Sequence, residues 1–365
     1  MRSLERSHGH ESLNASIERV AHAYGFSAPP IVIPKKTIRE AKTNDAKTAA
    51  SFALLKATAG ATQPTHVWGT ASGPKRSTIL SFAIVATRQT IGNALVVKAV
   101  QAIAGLVGLR DTSVLVSSVG DQESRRRFAR ELSTFFKKQN SALAEEVRET
   151  ALRDAERGYH EMIERNDPLL ERAPKTIDYL SENSRKMMLE ALSLFEAVGI
   201  PYALEPRLLG IPNTHTELLF AIEGTDRDGS RTRVATGGRF DDYMKREAHG
   251  DTAVSMSIEI RDDVEPRVSI DAIPSCYVVH VGGIAKLRAF GALEMLWKAN
   301  LLVGEALLSE TLREQIDRAK ASKTKYIAII GQREALDDTV IIRNTANQLQ
   351  TVIPLEKLAS HVARR

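Results

Sequence analysis

Two adjacent glycines, Gly237 and Gly238, lie in the stretch Ala235-Thr236-Gly237-Gly238-Arg239-Phe240-Asp241-Asp242, between β-like runs at residues 217–223 and 253–260. With no Cβ on either residue, the backbone there can approach a ligand or a neighbouring strand where any other side chain would block it. The same dipeptide also suits a plain hairpin connection between two strands, which is the simpler expectation at this point. Arg239 and Asp241 follow directly, placed to pair with polar groups.

At 365 residues, the chain is too long for one ordinary core, so two domains are expected. The most apolar region, residues 79–109, is broken by Arg88, Gln89, Lys98 and Gln101, which excludes a membrane span there. Met1-Arg2-Ser3-Leu4-Glu5-Arg6 has no apolar stretch of the kind a secretory leader carries. A single cysteine, Cys276, allows no internal disulfide and supplies no zinc ligand set, which fits a reducing cytoplasm. The net charge of +5 and pI near 9.2 are compatible with a nucleic-acid partner.

Along the chain, Leu13, Ile17, Val20 and Tyr24 fall at helical spacing, with Gly25 at the position of a left-handed cap. Pro29-Pro30 and Ile31-Val32-Ile33-Pro34 then predict a short extended segment. Residues 35–65, rich in Ala, Thr and Lys, suggest no chemistry. Gly69, Gly73, Lys75 and Ser77 superficially suggest a phosphate loop. Lys75 does not directly follow the second glycine, however, and Pro74 removes a backbone donor, so an exposed hairpin turn is expected. A buried strand over 79–86, an apolar helix over 94–106 and a strand over 112–119 follow. Asp121 caps a helix with the apolar stripe Phe128, Leu132 and Phe135, and Arg125, Arg126 and Arg127 near its start read as a solvated face. Residues 141–165 read as an exposed helical excursion, and residues 177–198 as a helix burying Met188, Leu192, Phe195 and Val198. His215 is expected to be structural. Ser255 and Ser257 have no base nearby in sequence, and His8 and His10 are an isolated pair in the terminus.

Beyond Glu259 the polar, proline-containing stretch 261–267 predicts a linker. Strand and helix then alternate: strand 276–281, helix 284–298, a short strand near Leu301, helix 309–321, strand 326–330, a strand pair at 339–343 and 348–353, and a helix from Leu355. This order predicts a small α/β domain with helices on both faces of a mixed sheet. Residues 273–365 hold thirteen Lys and Arg against nine Asp and Glu, so most of the basic excess resides there.

The order of these parts, with Gly199-Ile200-Pro201-Tyr202 and above all Gly237-Gly238-Arg239-Phe240-Asp241, resembles histidyl-tRNA synthetase, whose corresponding motif is Gly-Gly-Arg-Tyr-Asp. The likeness is best from about Ser113 onward and fair over 11–34, whereas the chain reads as shortened over 35–77. The resemblance implies an α+β protein. Residues 1–265 would form a class II synthetase-like antiparallel sheet with helices and a helical insertion at about 140–175, and residues 273–365 a small anticodon-binding-like α/β domain. It also implies a homodimer with tRNA as the first candidate partner.

The departures from the family bear on activity. Adenylation needs preorganised arginines and metal ions against developing phosphate charge. The family's Tyr-x-Gly-x-x-Phe-Arg finds Gly73 in place of the arginine, with Arg76 and Arg88 as alternative counterparts. Its Arg-Gly-Leu-Asp-Tyr-Tyr falls on Gly210 to His215 without the arginine, the aspartate or the tyrosines. Its terminal Glu-Arg falls on Glu259-Ile260, and Arg261, one residue on, would face the other side of a strand. Losing one preorganised donor costs about 2.7–4 kcal/mol of transition-state stabilisation, so three losses argue against aminoacylation.

The expected protein is therefore a catalytically degenerate synthetase paralogue with a tRNA-binding or regulatory role. It would retain a remnant amino-acid site of Gly237, Gly238, Arg239, Asp241, Glu217 and Glu259, with no catalytic residue, metal or cofactor. Two alternatives remain: a regulatory subunit of ATP phosphoribosyltransferase partnered by that enzyme, and an active histidine–tRNA ligase using ATP and Mg.

Overall fold

The computed structural model describes residues 13–363 apart from 27, 42, 44, 212, 213, 227, 262–272 and 300. The pair His8 and His10 and most of the expected linker lie outside the described residues. Helix α1 (Leu13–Ala23) leads through Gly25, at φ +85°, into the short strand β1 (Ile31–Ile33). The stretch without a sequence signal holds α2 (Lys35–Glu40) and α3 (Ala46–Lys56), the latter capped by Asp45, whose carboxylate accepts from the Lys47 and Thr48 N–H groups. Strands β2 (Thr65–Ser72) and β3 (Thr78–Val85) form the expected hairpin, with the turn at Gly73 to Ser77.

Helix α4 (Ile91–Leu106) is apolar almost all round, as a helix covering the middle of a sheet must be. After β4 (Arg110–Gly120), Asp121 caps α5 (Gln122–Lys138) as predicted. The buried stripe of α5 is Phe128, Leu132 and Phe136. Phe136 replaces the expected Phe135, which is only partly buried: residues 128, 132 and 136 form one row at four-residue intervals along the helix surface.

Helices α6 (Glu145–Arg153) and α7 (Ala155–Glu164) correct the expectation of an exposed excursion. Val147, Tyr159 and Met162 pack with Phe128 and Leu132 into a separate hydrophobic cluster. The helix expected over 177–198 divides into a 3-10 turn at Thr176–Tyr179 and α8 (Glu182–Ala197), which starts at the Ser181 cap. Strand β5 (Tyr202–Leu204), β6 (Thr216–Thr225), β7 (Arg231–Arg239), α9 (Asp241–Glu247) and β8 (Ala253–Ile260) complete this part.

Its sheet has the order β1-β2-β3-β8-β7-β6-β4-β5, antiparallel throughout except at the two edges, where β1 joins β2 and β5 joins β4 in parallel. Helix α4 covers one face and α3 the other; Val254, Met256 and Ile258 belong to the first cluster, while Ala83 and Ala253 pack with α3.

The second sheet, β10-β9-β11-β12-β13, is mixed: β9 (Cys276–His280) lies parallel to β10 (Val303–Glu305) and β11 (Tyr326–Ile330). The hairpin of β12 (Thr339–Asn344) and β13 (Gln350–Pro354) joins antiparallel. Helix α11 (Leu312–Ala321) covers one face. The other face packs α10 (Gly283–Lys298), α13 (Leu358–Ala363) and α12 (Gln332–Leu336), a short helix absent from the sequence reading. The two sheets share one cluster of buried side chains, reinforced by polar contacts. Tyr24 donates to Glu294 Oε1 at 2.5 Å, Lys98 lies 3.2 Å from Glu294 Oε2, and His66 lies 3.3 Å from Glu305.

Candidate functional site

Gly237 and Gly238 lie inside β7, a central strand, and not in a hairpin turn. They serve close strand packing: a Cβ on Gly237 would stand 2.2 Å from the Ser255 carbonyl oxygen and 2.6 Å from Met256 Cα, and one on Gly238 would stand 2.5 Å from the Leu218 carbonyl oxygen. The hairpin turn between β6 and β7 comes earlier, around Asp226 to Ser230.

The sheet face at Gly238 is not an open floor. Helix α3 covers it, and Ser51 on that helix bonds to Ser257 at 2.8 Å and to Ser255 at 3.0 Å, with Ser81 bonded to Ser257 at 2.7 Å. All four serines are buried. This hydroxyl group contains no base, so it is a packed polar seam under α3 and offers no activated nucleophile.

Arg239 is 1% exposed and acts as a clamp. Its Nε and Nη2 donate to the two carboxylate oxygens of Asp241 at 3.2 and 3.1 Å, and Nη2 also donates to the Thr87 carbonyl at 3.0 Å. Asp241 in turn accepts from the Ala253 N–H at 3.0 Å. The pair thus ties the end of β7 to the start of β8 and to the β3–α4 connection. One arginine nitrogen, Nη1, stays buried without a partner.

Glu217 adopts φ +54°, an uncommon conformation for a non-glycine residue, at a register break between β6 and its neighbours. The Ser118 hydroxyl donates to its carbonyl, and its carboxylate oxygen Oε2 is buried without a hydrogen bond. Burial raises the Glu217 carboxyl above its usual range; Asp121 and Asp241 add to this, while Ser184 and Arg239 oppose it.

Glu217 and Asp241 therefore meet, and with them Arg239. Glu259 does not join them. It accepts from the Ser77 hydroxyl at 2.6 Å, and on β8 it stands five residues past Val254, the register partner of Arg239. At about 3.3 Å per residue, that separation is about 17 Å. Arg261 is exposed beyond the strand end, Arg76 sits in the β2–β3 turn, and Arg88 is exposed and paired with Asp251 at 2.7 Å.

The open cleft near these residues has a volume of about 600 Å³ and lies outside the start of β6 and the start of α5. Five carboxylates line it, Asp121, Glu156, Glu217, Asp241 and Asp242, against the cations Arg125, Arg126 and Lys245. Arg125 is not part of a solvated face, because it donates to Asp242 at 2.7 Å and keeps a buried Nε without a partner. Burial works to raise the Asp121 carboxyl, but hydrogen bonds from Ser124 and Ser181 outweigh it and hold the group below its usual range. Burial, with Asp154, raises Glu156.

Arg125 and Glu156 also border a small recess of about 40 Å³ walled by Phe128, Tyr159 and Ile211. His215 closes this recess in the structural role expected for it. Its Nδ1 accepts from the Ile211 N–H at 2.9 Å, its ring rests 4.4 Å from Phe240, and burial pushes its pKa down to about 4.

The cleft is rich in hydrogen-bond acceptors, one carboxylate oxygen among them buried without a partner. A triphosphate there would meet five carboxylates against three cations, with Arg125 already paired to Asp242. Among the described residues, no group of three or more His, Cys, Asp or Glu is placed to hold a metal, and no helix is long and apolar enough to cross a membrane. Sequence reasoning missed the cleft partners Glu156 and Asp242. Glu156 sits in a charged helix with no distinguishing pattern, and the pairing of Asp242 with Arg125 spans 117 positions of sequence.

Residues 275–365 match the family described as "Anticodon binding domain". Histidine–tRNA ligase of Geobacillus sp. (strain WCH70) is 24% identical over 267 residues, covering 71% of this chain and 63% of that protein. The same enzyme from Desulfosudis oleivorans is 27% identical over 255 residues, covering 68% of this chain and 60% of its own length. The chain thus spans about three-fifths of the length of these relatives. Apo histidyl-tRNA synthetase of S. aureus superposes with a TM-score of 0.47 at 18% identity, over 84% of this chain and 80% of that one. Over about 70% of its length the chain is thus similar to histidine–tRNA ligases, and its carboxy-terminal residues 275–365 match an anticodon binding domain.

Proposed function

We propose that this protein is a non-aminoacylating member of the histidyl-tRNA synthetase family that binds tRNA in a regulatory capacity. The observation that carries this reading is the occupation of the sheet face at Gly238 by α3, whose Ser51 bonds to Ser255 and Ser257. Gly238 then has no space above it for an amino acid and a nucleotide together. The neighbourhood of the cleft supports the same reading, because Arg239, deeply buried beside it, is already engaged by the lining residue Asp241. Arg125 is engaged by Asp242, so Arg126 and Lys245, both exposed, are the cleft cations left to meet phosphate charge, a weak source of electrostatic stabilisation for an adenylation transition state.

The tRNA part of the proposal is supported by the match of residues 275–365 to an anticodon binding domain and by the basic surplus in that region. There, Lys320, Lys323 and Arg343 line a groove of about 330 Å³ that has no carboxylate among its walls. Such a groove suits a phosphodiester backbone. Titrating fluorescently labelled tRNA at several salt concentrations tests this reading. Affinity that rises steeply as salt falls is expected, and absence of binding at low salt removes tRNA from the proposal.

A further inference from the structure

Another pocket, of about 560 Å³, opens between the two sheets and shares no lining residue with the acidic cleft. Its volume is typical of small-molecule sites. One wall comes from the β3–α4 connection and α8, with Arg88, Gln89, Thr90 and Glu190. The other comes from the β9–α10 junction, with His280, Gly282, Gly283 and Lys286, and from Glu310.

Three features of this pocket point to a ligand. Helix α10 is sixteen residues long and begins here with Gly282 at its N-cap, making no side-chain cap bond. Its first N–H groups are therefore free, at the positive end of a long helix dipole. His280 is 4% exposed, and neither ring nitrogen makes a hydrogen bond. The Leu307 backbone approaches the ring without completing one. A buried imidazole left in this state costs free energy that a bound donor or acceptor would recover. Finally, Lys286, one turn into α10, reaches across the pocket to donate to Gln89 Oε1 at 2.7 Å, and Gln89 donates to the Leu308 carbonyl at 3.0 Å. The polar wall is thereby held from both sides of the interface.

The charges lining the pocket are balanced, with Arg88 and Lys286 against Glu190 and Glu310. A phosphate would meet two carboxylates, and a simple amine would meet two cations and the positive helix end. A molecule bearing both signs meets neither difficulty. We infer that this interdomain pocket binds a free α-amino acid, its carboxylate on the N-terminus of α10 beside Lys286 and its ammonium toward Glu190, with His280 bonding to the ligand from below. Because the walls come from both parts of the chain, binding would fix their relative position.

Thermal-shift and calorimetric titrations of the full chain with each of the twenty amino acids test the inference. At least one should raise the melting temperature saturably, and its decarboxylated amine should not. Gly283→Pro should weaken that binding tenfold or more while preserving the helix, since proline is favoured at the first helical position and nothing lies within 4 Å of a Cβ there. Lys286→Met should weaken it similarly, whereas Glu217→Gln, in the acidic cleft, should leave it intact. The inference is overturned if no amino acid binds, if binding survives both Gly283→Pro and Lys286→Met, or if Glu217→Gln abolishes it. None of these outcomes bears on tRNA binding, which is measured separately.

Discussion

Gly237 provides a direct test of the packing around β7. In Gly237→Ala the new methyl group would meet the Ser255 carbonyl oxygen at 2.2 Å and Met256 Cα at 2.6 Å. Both belong to the backbone of β8, which is held on its far side by β3, so the obstacle cannot rotate away as a side chain would. Overpacking of this kind costs about 1–3 kcal/mol, and a backbone obstacle places it near the upper end. Replacing glycine by alanine also reduces the entropy of the unfolded chain, which returns about 0.4–1 kcal/mol. The net expectation is a loss of about 2 kcal/mol. For a protein of this size that corresponds to a melting temperature lower by about 2–4 °C.

Gly291→Ala, within α10, is the matched control. Nothing lies within 4 Å of its added Cβ, so the same entropy term should make it equal to or slightly more stable than the parent. Calorimetry of the two variants side by side separates steric from intrinsic effects. A Gly237→Ala protein as stable as Gly291→Ala would refute the close β7–β8 approach on which the reading of the glycine pair rests.

Other expectations follow from the same physics. Lys98→Met leaves Glu294 buried with Tyr24 as its remaining partner, and should cost about 3–5 kcal/mol, measured by urea denaturation. His215 should contribute to acid sensitivity: its folded pKa of about 4 lies below the unfolded 6.5, so its contribution is full above pH 6.5 and is lost as pH falls toward 4. With each pKa unit equivalent to 1.36 kcal/mol, the contribution is on the order of 3 kcal/mol. In His215→Asn, whose amide oxygen can still accept from Ile211, denaturation midpoints should fall less between pH 7 and pH 4.5 than in the parent. In the basic groove, Lys320→Gln with Lys323→Gln should lower the slope of log affinity for tRNA against log salt by about 0.7–0.9 per lost phosphate contact.

Much of the architecture was legible in residue patterns because local chemistry determined it. Asp121 and Ser181 cap their helices, Gly25 and Gly199 take positive φ where helices end, and the alternation after Cys276 matches the second sheet. What escaped was decided by tertiary contacts. Helix α3, with its Ala-rich sequence buried along nearly its whole length, has no amphipathic stripe to identify which surface it covers. The glycine pair reads equally as turn or strand until the partners of β7 are known. Glu217, Arg239 and Asp241 lie together because they stand at the same end of one strand pair, whereas Glu259, grouped with them by motif resemblance, lies at the opposite end of β8. Arg125 and Asp242 are separated by 117 positions, and nothing in either local sequence couples them.

The central claim, that the protein does not activate an amino acid, is tested most directly by histidine-dependent exchange of pyrophosphate into ATP. With α3 over the sheet face at Gly238 and Arg239 held by Asp241, no exchange above the background without histidine is predicted. Robust exchange that depends on histidine and saturates with it would contradict the account.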